Sequence, residues 1–195
     1  RGDLEAAGLI ALHAIRVSPS PNLTSDQIES LTALADRGYV YAQTLLAIHH
    51  ERRGEANEAI VWRRRAAEAG DAKSQAKLAR AFLAGNGVKK DAVAGEEWMR
   101  RAAMSGDDAA MNHMGWMVAR RRDWKAAEGW YMSAAQYGDS DGAIALANLY
   151  VEPHPGIEET MATAEKILTS LAADKSSDGA EARRALATLL VKPSE

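Results

Sequence analysis

The chain contains no cysteine. Disulfides, thiolate metal sites and a cysteine nucleophile are therefore excluded. An apolar run approaching the ~20 residues that span a bilayer is also missing, so no membrane insertion is expected. No signal peptide is expected in this sequence. Charge of one sign is scarce as well. The 24 Lys+Arg and 27 Asp+Glu leave a net charge of −3, with a pI near 6.0. That balance gives no field to draw nucleic acid or an anionic membrane surface.

What the chain does have is a period. From Gly70 to Gly106 the marks are Leu78-Ala79, Phe82, Gly85-Asn86-Gly87-Val88, Asp91, Gly95, Trp98 and Ala102-Ala103. One repeat earlier stand Gly38, Leu46-Ala47, His50, Glu55, Ala59, Trp62 and Ala66-Ala67. One repeat later stand Gly106, Met114-Gly115, Val118, Asp123, Ala127, Trp130 and Ala134-Ala135. Repeats start at Gly2, Gly38, Gly70, Gly106, Gly138 and about Asp178, giving units 2–37, 38–69, 70–105, 106–137 and 138–177 and a terminal helix 178–191. Self-similarity at this period means stacked supersecondary units, one solenoid over residues 1–195. Solenoids present long surfaces and mostly bind other molecules.

Each unit reads as two helices. Apolar and small residues recur at positions 4, 8, 9 and 12 after the glycine, one face of a first helix. Ala59-Trp62-Ala66, Gly95-Trp98-Ala102 and Ala127-Trp130-Ala134 make one face of the second. Asp91 and Asp123 are expected N-caps, and the repeat glycines left-handed C-caps. The four-residue excess of the Gly70 unit falls in the turn between its helices. Gly2 already begins a repeat, so the chain is expected to be part of a longer protein. Leu9 and Leu12 are then expected to self-associate through the N-terminal end, or to be covered by preceding residues.

This pattern resembles the Sel-one-like repeat (SLR), a relative of the tetratricopeptide repeat, over almost the whole chain. Gly85-Asn86-Gly87-Val88 and Asp91 carry the likeness most fully. The resemblance implies an all-α fold, a right-handed superhelix of antiparallel helical pairs. It further implies an adaptor for protein complexes, often in bacterial signalling, envelope or host-contact proteins. A periplasmic or other exported location is thereby favoured over the cytoplasm.

Chemistry has little support. The five histidines lack an i, i+4 pair with a third ligand, so no metal is expected. No serine sits in a nucleophile elbow and no carboxylate pair stands out, so neither an enzyme nor a cofactor is expected. The arginine clusters at 52–53, 63–65, 100–101 and 120–122 read as solvated faces and turns. Arg120–Arg122 is the exception, an uninterrupted run in a turn. The tryptophans Trp62, Trp98 and Trp130 read as core.

First helices line the concave face of helical-pair solenoids. Positions 3, 6, 10 and 13 are expected to point into that groove. Tyr41, Ile48, Arg80, Asn112, Trp116 and Asn148 are its candidate binding residues. Aromatic and arginine anchors favour hot spots, and amides can pair with a peptide backbone. The alternative for Trp116 is packing against a neighbouring first helix. The expected function is a non-enzymatic scaffold for a protein or peptide partner, with no nucleic acid. The alternatives are a carbohydrate- or cell-wall-binding or hydrolytic role, and a structural or dimerisation domain.

Overall fold

A computed structural model describes residues 23–158, 161–173 and 177–191. Among them are ten α-helices and no strand. The first helix of the Gly2 repeat, its proline turn at 18–21 and the 174–176 link lie outside the described residues. The helices form two compact units, Arg1–Ser105 and Gly106–Glu195.

The first unit holds α1 (Ser25–Asp36), α2 (Val40–Arg52), α3 (Ala56–Glu68), α4 (Ala72–Ala84) and α5 (Ala92–Met104). Each packs on the next in chain order. Thr24 and Gln27 close a capping box on α1. Asp71 caps α4 through Ser74 N, and Asp91 caps α5 through Val93 N and Ala94 N. Gly38 and Gly70 take φ of +89° and +94°, which only glycine adopts cheaply. The core runs through Leu31, Leu46, Leu78 and Met99, all fully buried. Each such side chain contributes roughly 1.5–3 kcal/mol. Two glutamines tie the hairpins together. Gln43 Nε2 donates to Ala35 O and Gln75 Nε2 to Ala67 O, each at 3.0 Å. Both bonds satisfy carbonyls at the end of the preceding helix.

The second unit holds α6 (Asp108–Ala119), α7 (Trp124–Gln136), α8 (Ser140–Val151), α9 (Met161–Ala172) and α10 (Ser177–Val191). Asp107 and Asp123 cap α6 and α7. Neighbours in sequence pack together here too, and α8 also meets α6 and α10. The core is Tyr131, Leu146, Leu149, Tyr150 and Leu168. Glu128 is buried within it, accepting from Lys125 Nζ at 2.6 Å and Tyr150 Oη at 3.1 Å. Gly115 lets α7 approach: a Cβ there would stand 2.6 Å from the Tyr131 ring. The long turn is pinned by His154, stacked on Trp124 with centroids 4.1 Å apart. No helix among the described residues is long and apolar enough to cross a membrane.

The repeat tryptophans differ from expectation. Trp62, Trp98 and Trp130 are half-buried. The residue just after each is the deeply buried one: Arg63, Met99 and Tyr131. Arg65 covers the Trp62 ring at 4.6 Å, and Arg101 covers Trp98 at 4.9 Å. Trp62 and Trp98 thus lie under a cation, and none of the three indoles fills the hairpin's centre.

Candidate functional site

The first helices of the repeats carry the predicted site, and the two units hold different parts of it. Positions 3 and 10 are exposed or half-exposed throughout. In the first unit Tyr41 is 52% exposed, Ile48 is half-buried and Arg80 is exposed. In the second, Trp116 is 48% exposed and Asn148 is exposed. Positions 6 and 13 depart from expectation. Ala76 and Ile144 are buried, Val151 packs on the second core, and Leu83 lies against Gly95. Asn112 also turns away from a free amide role. Its side chain hydrogen-bonds Asp139.

Trp116 sits near the C-terminus of α6 between two basic side chains. The Arg120 guanidinium lies 4.8 Å from its ring centroid, and the His113 ring lies 5.5 Å away. Arg120 thus covers part of the indole face. The neighbouring Arg122 takes φ +61°, at the place where the Gly38 repeat has Gly54 at +74°. The basic turn is thus shaped by a helix end, with Arg122 amide donating to Ala119 O at 2.8 Å.

Arg80 belongs to a cleft of about 500 Å³ within the first unit. Its wall includes Arg63, which is 3% exposed. Arg63 Nη2 and Nε donate to Glu51 Oε1 at 2.6 and 3.2 Å, and Nη1 to Ser74 Oγ at 3.3 Å. Lys77 Nζ approaches the other Glu51 oxygen at 3.9 Å. Ala56, Ile60, Ala81, Ala84 and Asn86 are also in the lining. The inserted turn makes one side: Gly87, at φ +69°, lies so close to α3 that a Cβ would be 2.5 Å from Ala56 O. Beside it His50 Nδ1 bonds Glu55 Oε2 at 2.7 Å, so His50 is a polar tie rather than a packed ring. Arg53 joins the same carboxylate, and these two partners hold the Glu55 carboxyl below its usual range.

No family model and no curated protein matches the chain. Solved structures do. A Sel1 repeat protein from Oxalobacter formigenes superposes with a TM-score of 0.78 at 23% identity, over 93% of this chain and 74% of that one. The protein c5321, a protective antigen present in uropathogenic Escherichia coli strains, displays an SLR fold and superposes at 0.75. It is 24% identical, over 96% of this chain and 46% of its own. The chain has the Sel1-repeat fold. That fold is an all-α solenoid of helical pairs, as the resemblance implied.

Among its described residues no group of His, Asp and Glu is placed to hold a metal ion. Reading the arginine clusters as solvated faces missed Arg63. The signal was in the Sel1 template: Arg63 follows its repeat tryptophan where Met99 and Tyr131 follow theirs. An arginine at an apolar repeat position is a buried cation that needs a partner, and Glu51 supplies it.

Proposed function

We propose that this protein is a non-enzymatic scaffold that binds a protein or peptide through the exposed face of its first helices. The supporting observation is Trp116. A large indole is half exposed on a first helix, with Arg120 and His113 against its ring. Exposed aromatics beside arginine are the anchors that interfaces favour. Tyr41 and Arg80 offer the same residue types on the first unit, and Asn148 adds an exposed amide on the second. The fold is one whose repeats make extended binding surfaces. Both structural neighbours come from bacteria, which supports a bacterial setting, in a signalling or envelope complex.

The experiment is a pull-down from a bacterial lysate with the wild-type chain and with Trp116→Ala. A partner retained by wild type and lost by the variant supports the reading. A partner retained equally by both counts against Trp116 as its anchor.

A further inference from the structure

The cleft between α3 and α4 has an excess of positive charge. Arg63, Lys77 and Arg80 face it with one carboxylate, Glu51, among its lining residues. Glu51 is already committed to Arg63 at 2.6 Å. Among the described residues Arg80 has no ion-pair partner, and Lys77 reaches Glu51 only at 3.9 Å. Arg63 spends three of its five N–H donors on Glu51 and Ser74. A nearly buried guanidinium with donors to spare, beside two exposed cations, offers hydrogen-bond donors to an anion.

Size and shape narrow the choice. About 500 Å³ falls in the ~300–1,000 Å³ range of ligand pockets. Ala56, Ile60, Ala81 and Ala84 give it apolar walls, and the Asn86 amide stands at its edge. Apolar walls with convergent polar groups suit an organic ligand better than a bare ion. Those apolar walls, rather than the charge count, favour an organic carboxylate over inorganic phosphate. The inserted turn fixes the cleft, because Gly87 approaches Ala56 O as no other residue could. The Gly38 and Gly106 repeats lack that insert.

We infer that this cleft binds a carboxylate of an acidic peptide, its apolar walls taking a neighbouring side chain and Asn86 pairing with the peptide backbone. The inference rests on the scaffold reading and names the chemistry that the first unit recognises. Arg80 makes the first ion pair, and Lys77 shares the charge. The carboxylate belongs to an Asp or Glu side chain or to the peptide's C-terminus.

The test uses the full chain and fluorescein-labelled hexapeptides in polarisation titrations. One set carries Asp or Glu, one carries Asn or Gln instead, and each is made with free and amidated C-termini. Acidic peptides are expected to bind, with affinity falling as salt rises. Arg80→Ala should weaken them about tenfold, as the loss of one charge-assisted pair does. Arg64→Ala, on an exposed part of α3, should change nothing. Binding that needs the free C-terminus assigns the terminal carboxylate; binding kept on amidation assigns the side chain. Equal binding of acidic and amide peptides, or acidic binding untouched by both Arg80→Ala and Lys77→Ala, overturns the inference. Competition by inorganic phosphate stronger than by acetate overturns the preference for a carboxylate. A Trp116-dependent partner found without any acidic-peptide binding would leave the scaffold reading standing and remove the cleft.

Discussion

At the scale of single residues, the buried cation Arg63 gives the sharpest test. Removing it by Arg63→Ala opens a hole and strips Glu51 of its main partner. Glu51 is partly exposed, so the loss should be about 2–3 kcal/mol, below that of a fully buried pair. Arg63→Met instead copies the neighbouring repeat, where Met99 fills the place. It fills the hole but still leaves Glu51 without its main partner, so it should cost less than Arg63→Ala, about 1 kcal/mol. Urea midpoints of the two variants decide between them, and equal large losses would show that the ion pair itself is needed. Asp139 gives a pH test. Burial first, then Asp141 and Asp108, push its carboxyl above the usual range, against the Asn112 hydrogen bond. The folded state thus holds the proton more tightly. Its stability contribution is complete below the ordinary aspartate pKa of about 4 and is lost as pH rises through the raised value. Asp139→Asn should therefore melt higher than wild type at neutral pH and lose that advantage in acid. An advantage independent of pH would rule this origin out.

At the scale of elements, the helix ends carry most of the local instructions. The caps at Asp91 and Asp123, and the left-handed glycines Gly38, Gly70, Gly106 and Gly138, were legible because each depends on residue type and spacing alone. Arg122 was missed: its own neighbours do not announce φ +61°, and only the aligned Gly54 of the Gly38 repeat marks the position as left-handed. An L-residue held there is strained by ~1–2 kcal/mol, partly offset when glycine loosens the unfolded chain. Arg122→Gly should raise the melting midpoint by the equivalent of about 0.5–1 kcal/mol. A drop in the midpoint would mean that the arginine side chain contributes more than the strain costs. The face of the first helices was half legible. At 3.6 residues per turn, positions 3 and 10 lie about 20° apart, while 6 and 13 turn about 40–80° toward the buried stripe. Tyr41, Arg80, Trp116 and Asn148 thus stay outside, whereas Ile144 and Ala76 join the core.

At the scale of the whole molecule, the fold could be read because a repeat states it several times over. The glycine period, the first-helix stripe and the alanine pairs agree from unit to unit, so one substitution such as His50 for an aromatic does not obscure them. The site is written once, and its partners come from different helices. The Arg63–Glu51 pair joins α2 to α3, and the insert meets α3 from the far end of α4. No spacing in the sequence encodes such contacts. The tryptophans make the same point. Their recurrence marked them as structural, but only the packed helices show them half-buried, Trp62 and Trp98 beneath arginines. Trp98→Ala should cost about 2–3 kcal/mol, less than a fully enclosed indole, and Trp116→Ala about 1 kcal/mol or less. Thermal melts of the two variants compare them directly; equal losses would place Trp116 in the packing.

The most direct measurement of the scaffold reading is calorimetry with the partner that the pull-down recovers. Trp116→Ala should weaken binding by ~2 kcal/mol or more, about thirtyfold, with its fold intact by circular dichroism. Arg64→Ala should shift the affinity by less than ~0.5 kcal/mol at moderate salt. If Arg64→Ala or changes at Arg120–Arg122 abolish binding while Trp116→Ala binds as wild type does, the first-helix face is not the working surface, and the account is wrong.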